Sequence, residues 1–317
     1  MEEPSRIFHG KVMLFGEYGV IMQGQALTVP LTNFSAYLKF PGAEYNKDQN
    51  ILNQLLKDYM LGLLREQELS GVKYGIDLNA FALDLLRGMF LESDIPQGYG
   101  AGSSGALVAA VYHRYARRCA TLNSEPTSRQ LSSLQKKLAR LEGYFHGTSS
   151  GIDPLSCYVA RPLLIFSSKA PEPVILPKPD FIKSGGFFLI DTFMPRKTEV
   201  LVNLFLENCQ QISFKEMLEK EYLPLVDHCI NRLMCADWSL LMSAMKKLSE
   251  IQYRHFSEMI PNGYEALWRK GLESNLFTLK LCGAGGGGFI LGFTTDYHQT
   301  NRIVGKVSGS MMPLEIS

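Results

Sequence analysis

The chain has 317 residues, 46% of them hydrophobic and 20% charged, with a formal net charge of +1. That length suits two domains or one large two-lobed unit, and that balance suits a globular protein that folds unaided. A near-neutral chain sets up no broad field for nucleic acid or an anionic membrane, so neither is an expected partner.

The opening MEEPSR has neither the basic nor the apolar segment of a secretion signal, and no apolar run is long enough to span a bilayer, which predicts a cytosolic protein. From the N-terminus, Ile51, Leu52, Leu55, Leu56, Tyr59, Met60, Leu63 and Leu64 recur at helical spacing and predict an amphipathic helix over 50–68. Met89, Leu91 and Ile95 alternate with Phe90, Glu92 and Asp94, the pattern of a strand ending at Pro96. Leu131, Leu134, Leu138, Leu141 and Phe145 fall three and four residues apart and predict a helix over 128–146. Between 160 and 185 five prolines, Pro162, Pro171, Pro173, Pro177 and Pro179, interrupt short apolar pieces and mark a lobe boundary, giving lobes 1–168 and 169–317. Beyond it the pattern predicts a strand over Phe187 to Ile190 and two or three long helices between 198 and 271. The methionines of 213–260 are read as core, and a strand, glycine loop and strand follow over 276–293. Cys119, Cys157, Cys209, Cys229, Cys235 and Cys282 show no C-x-x-C spacing, which argues against zinc and a disulfide framework and for small buried hydrophobes.

Residues 96–105 read P-Q-G-Y-G-A-G-S-S-G, between the predicted strand and an apolar helical run. Gly98, Gly100 and Gly102 let the backbone close tightly, and a helix starting near Ser103 presents unpaired N–H groups and a positive dipole end. That is a phosphate cradle. It is not the P-loop, which requires G-x-x-x-x-G-K-[ST], since no lysine follows the last glycine. Ser103 is expected to cap the helix or bind phosphate. Two further stretches stand near the chain ends. Residues 9–20 read H-G-K-V-M-L-F-G-E-Y-G-V, with Lys11 and Glu17 at the two ends of an apolar run, and residues 279–293 read L-K-L-C-G-A-G-G-G-G-F-I-L-G-F. Five glycines in six positions between apolar strands suit close approach of backbone or ligand.

These three stretches, in this order, resemble the three motifs of the GHMP kinase superfamily. The stretch E-G-Y-F-H-G-T-S-S-G-I-D over 142–153 is similar to the E-x-x-x-H-G-x-x-S-G-[VI]-D of mevalonate kinases, and P-R-K-T over 195–198 looks like their R-N-T element beside the substrate. The resemblance covers residues 9–293. It departs at Tyr18, where mevalonate kinases usually carry histidine; G-E-Y and G-S-S-G are also similar to phosphomevalonate kinases.

The resemblance implies an α+β, two-lobed GHMP kinase fold, with a ribosomal-S5-domain-2-like N-terminal lobe and a ferredoxin-like C-terminal lobe. It implies a kinase using ATP and Mg2+ on mevalonate or a related small acid, working as monomer or homodimer. Phosphomevalonate kinase is the alternative; a GHMP-fold decarboxylase and a nucleotide sensor on the same fold are further ones. Asp153 would be the catalytic carboxylate, with Lys11 neutralising charge beside it. Gly98, Gly100, Gly102, Ser103 and Ser104 would bind the ATP phosphates. Glu142 and Ser104 would be the metal ligands, a sufficient protein share for an ion that keeps several waters and bridges phosphates. Glu17, Tyr18, Arg196, Thr198 and Gly285 would face the substrate, Arg196 taking its carboxylate. His146 is read as structural, capping helix carbonyls.

Overall fold

The computed structural model describes residues 6–42, 47–117, 126–178, 184–196, 198–308 and 311–316. The chain divides into two compact units that do not follow a single cut. The first comprises residues 1–11, 32–96 and 102–160; the second comprises 12–31, 97–101 and 161–317. One division falls after Ala160, at the start of the proline-interrupted stretch, and two earlier segments group with the second unit.

In chain order the first elements are strands β1 (Phe8–Phe15) and β2 (Ala26–Lys39), each long enough to contribute residues to both units. Helices α1 (Lys47–Ser70) and α2 (Leu78–Leu86), strand β3 (Phe90–Ser93), and helices α3 (Ser103–Tyr115), α4 (Ser128–His146) and α5 (Ile152–Val159) complete the first unit. There the far half of β2 pairs antiparallel with β3, Lys39 opposite Phe90. Helix α4 begins at a capping box: the Thr127 side chain accepts from the Gln130 N–H, and the Gln130 side chain accepts from the Thr127 N–H. Its leucines Leu131, Leu134, Leu138 and Leu141 are buried, as their spacing predicts, whereas Phe145 at the end of the stripe is 37% exposed. In α1 the stripe is narrower than its sequence suggests: Leu56, Tyr59 and Leu63 are buried but Ile51 and Leu55 are exposed.

The second unit contains strands β4 (Leu163–Ile165), β5 (Glu172–Pro173) and β6 (Gly186–Asp191), helices α6 (Thr198–Asn208), α7 (Ile212–Met217), α8 (Leu223–Met234), α9 (Trp238–His255) and α10 (Glu265–Glu273), strands β7 (Phe277–Leu281) and β8 (Phe289–Thr294), helix α11 (Tyr297–Ser308) and strand β9 (Met311–Pro313). The span 198–271 therefore holds five α-helices rather than two or three, with a π turn over Leu218–Tyr222 joining α7 to α8. Of the methionines in 213–260, Met217, Met245 and Met259 are buried. The sheet of this unit runs β7-β8-β6-β9, antiparallel throughout. Its central strands β6 and β8 are buried on both faces and read as near-continuous apolar runs, whereas the edge strand β7, F-T-L-K-L, buries Thr278 and Lys280 as well. Cys157, Cys229 and Cys282 are buried thiols outside any disulfide among the described residues, Cys209 is half-buried, and Cys235 is exposed at the end of α8, against the expectation of a buried residue; Cys119 lies outside the described residues. Among the described residues no helix is long and apolar enough to cross a membrane.

Candidate active site

In the first unit, side chains from four elements converge beside the start of α3. Gly102 caps that helix with φ 85°, a left-handed conformation that favours glycine, and no side chain caps it. Ser103 is thus the first residue of the helix and not its cap. A Cβ at Gly102 would meet the Cys157 sulfur and Lys11 Cγ, both at 3.0 Å, so the bare backbone is what lets Lys11 lie against the loop. Gly105 does the same for α5: a Cβ there would stand 2.9 Å from the Asp153 carbonyl carbon. Small residues in the first turn of α3 bring Asp153 next to a helix terminus whose N–H groups suit an anion.

Lys11 Nζ stands 2.8 Å from Asp153 Oδ1. The lysine side chain is 6% exposed and the aspartate 36%, so the cation is sequestered while part of the carboxylate faces solvent. Glu142, on α4, is 4% exposed. Its Oε1 accepts from Ser104 Oγ at 3.3 Å and its Oε2 from Ser149 Oγ, which in turn accepts the Gly151 N–H at 2.9 Å. Burial, then the neighbouring negative charge of Asp153, pushes the Glu142 carboxyl up to about 7, against the hydrogen bond from Ser149 and the charge of Lys11. Among the described residues Glu142 has hydroxyl partners but no ion pair. A buried carboxylate in that state lacks a cation, and an all-oxygen pair of Glu142 and Ser104 fits magnesium. No cluster of three or more His, Cys, Asp or Glu side chains suited to a metal occurs among the described residues. His146 Nε2 lies 3.4 Å from Ser104 Oγ, so the exposed ring reaches the phosphate loop instead of capping helix carbonyls.

The second unit holds the other expected residues, and it engages several of them internally. Glu17 pairs with Lys280 of β7, the two side chains 0% and 1% exposed. Burial pushes the Glu17 carboxyl up and Lys280 opposes it. Lys280 Nζ also donates to Leu281 O at 2.7 Å, and Tyr222 donates to the Glu17 carbonyl at 2.8 Å. Tyr18, with φ 58° and 4% exposure, stacks on Phe205 and donates its hydroxyl to Ala284 O at 2.7 Å. Gly285 is buried with its α-carbon against Met259 O, where a Cβ would clash. Lys280 and Ala284 O thus engage Glu17 Oε1 and the Tyr18 hydroxyl, Glu17 Oε2 is buried without a hydrogen-bond partner among the described residues, and Gly285 packs on Met259. Tyr18→Phe leaves a buried carbonyl short of a donor, an effect of about 1 kcal/mol. A thermal midpoint lower by roughly 2–4 °C is expected, and a midpoint equal to the parent's would remove the hydroxyl from this role.

Arg196 is tied to two other segments of this unit. Its backbone N–H donates to Gly98 O at 3.1 Å, and Nη1 donates to Cys282 O at 2.5 Å. Its guanidinium occupies the space that a Cβ on Gly100 or Gly283 would need. Of the three glycines, Gly100 makes room for Arg196 and Gly102 for Lys11, whereas a Cβ on Gly98 would meet Arg196 only at 3.7 Å, an ordinary contact. Thr198 is exposed at the start of α6, and Lys197 lies outside the described residues. Sequence reasoning missed Gly105, Ser149 and Lys280. The first two stand inside motifs already singled out, and the third precedes the glycine run by three positions.

Residues 58–161 match the family described as GHMP kinases N terminal domain. Solved structures match over nearly the whole chain. The Leishmania major (L. major) mevalonate kinase in complex with R-mevalonate is 17% identical, with 99% of this chain and 97% of that one covered and a TM-score of 0.65. The Lactococcus lactis galactokinase complexed with galactose is 12% identical, covering 99% and 94%, with a TM-score of 0.63. The Streptococcus pneumoniae phosphomevalonate kinase is 16% identical, covering 98% of each chain, with a TM-score of 0.61. No curated protein sequence matches the chain. At such identities the structural likeness establishes the fold alone, and it is the α+β GHMP kinase fold. Over residues 58–161 the chain is thus similar to the N-terminal domain of GHMP kinases, a family whose members are kinases.

Proposed function

We propose that the chain is an ATP-dependent small-molecule kinase that transfers the γ-phosphoryl group to the hydroxyl of mevalonate. The observation that carries this reading is the Lys11–Asp153 pair at 2.8 Å beside the glycine-led terminus of α3. Phosphoryl transfer asks chiefly for positioning and charge neutralisation, and the residues supply both. The N–H groups opening α3, with Ser103 and Gly102, hold phosphate oxygens. Asp153 orients the acceptor hydroxyl and takes its proton as the new O–P bond forms and the bond to ADP breaks. Lys11 offsets charge on the group in flight and keeps Asp153 in place. Glu142 and Ser104 would hold magnesium, which when bound supplies positive charge to the phosphates. Ser104→Ala and Glu142→Gln are each expected to raise the magnesium concentration needed for half-maximal turnover. Titrations overlaying the parent's would show that the wrong ligands were chosen.

Mevalonate is favoured over its phosphorylated form by the supply of cations. A phosphorylated acceptor carries roughly two further negative charges and would need additional Lys or Arg side chains. Within the motifs, Lys11 is bound to Asp153 and Lys280 is sequestered with Glu17, so neither is offered to a second phosphate group. Specificity constants for mevalonate and phosphomevalonate test the choice. A constant at least about tenfold higher for the phosphorylated acid would overturn it in favour of phosphomevalonate kinase.

A further inference from the structure

We propose that Ser149 is a positioning residue that selects which oxygen of Glu142 is offered to the metal; this rests on the kinase reading above. Ser149 lies in the loop between α4, which carries Glu142, and α5, which carries Asp153. Its hydroxyl is used in both directions. The Gly151 N–H donates to Oγ at 2.9 Å, so the hydroxyl proton is directed to its other neighbour, Glu142 Oε2. Oε2 is thereby occupied, and Oε1 is the oxygen facing Ser104 Oγ at 3.3 Å.

The loop itself is anchored to α4. Gln135 Nε2 donates to Ser150 O at 2.9 Å, and Gly151, with φ 71°, lies so close to Gln135 O and Ala139 that no Cβ would fit. Ser149 Oγ is therefore held by a backbone that cannot drift from the helix bearing its partner. A hydroxyl so placed joins the carboxylate of α4 to the first turn of α5, two groups that phosphoryl transfer requires in register. Without it, Glu142 can turn about its last torsion, which is broad in isolation. Outer hydrogen bonds of this kind are worth roughly 10–100-fold in metal affinity.

The test is calorimetric titration of the full chain with AMPPNP, in excess Mg2+ and separately in EDTA, for the parent, Ser149→Ala and Ser149→Thr. Thermal midpoints of the free proteins are recorded alongside. Ser149→Ala is expected to weaken binding in Mg2+ by roughly tenfold while leaving binding in EDTA within about twofold. Ser149→Thr keeps the hydroxyl and should restore the parent's affinity. Equal affinity of all three in Mg2+ would overturn the proposal. So would an equal loss by Ser149→Ala in both conditions, or a Thr variant as weak as the Ala variant with its midpoint unchanged. If the parent itself gains no affinity from Mg2+, the fault lies in the kinase reading, and the role of Ser149 falls with it.

Discussion

Asp153→Asn is expected to lower turnover at least about 100-fold while leaving the fold and ATP binding nearly intact. The variant keeps an oxygen that can accept from Lys11 Nζ, now 2.8 Å from Oδ1, so the lysine is not stranded. It loses the capacity to take a proton from the acceptor hydroxyl and the charge that orients it. A 100-fold loss corresponds to about 2.7 kcal/mol of transition-state stabilisation, within the range of a single general base. The effect should appear in kcat with little change in the Michaelis constant for ATP, because Asp153 is assigned to the acceptor and not to the nucleotide. Undiminished turnover in purified, folded Asp153→Asn would remove Asp153 from catalysis.

Lys280→Met should produce the largest loss of stability. Lys280 and Glu17 are almost wholly buried, and removing one partner leaves a charge in a medium that cannot solvate it. Breaking such a pair costs about 3–5 kcal/mol, whereas replacing both members with apolar side chains is often close to neutral. The thermal midpoint of Lys280→Met is therefore expected to fall by roughly 6–20 °C, and the double variant Glu17→Leu/Lys280→Met should recover much of that loss. A single variant within about 1 °C of the parent would contradict the assignment of this pair to the framework. Lys280 precedes the glycine run by three positions, and the main chain continues from it into Cys282 and Ala284, whose carbonyls are the acceptors for Arg196 and Tyr18. Stability and the shape of that loop are thus tied to one ion pair.

What could be read from the sequence follows the range over which its signals act. Helix α4 begins and ends where its leucine spacing places it, because Thr127 and Gln130 form its cap from residues three apart and Gly147 closes it. The strands around the glycine run were legible for a similar reason: long apolar pieces separated by residues with positive φ admit few other arrangements. The Lys11–Asp153 pair was within reach through the motifs that flank it. The fate of Glu17 and Tyr18 was not. Their partners, Lys280 and Ala284, stand 263 and 266 residues away, and nothing local to G-E-Y distinguishes a buried framework carboxylate from one facing a substrate. The grouping of residues 12–31 with the second unit was hidden likewise, since it depends on how β1 and β2 are shared and not on any composition change. The number of helices between 198 and 271 was underestimated because the π turn at Leu218–Tyr222 lets α7 run into α8 with no proline or glycine between them.

Coupled ADP release by the purified full chain, with ATP and magnesium against mevalonate, phosphomevalonate, galactose and homoserine in parallel, tests the central claim most directly. ADP release that depends on mevalonate, exceeds that with the other three acceptors and is abolished by Asp153→Asn is the predicted result. Release that is independent of every acceptor, or that is supported by galactose or homoserine and not by mevalonate, would contradict it.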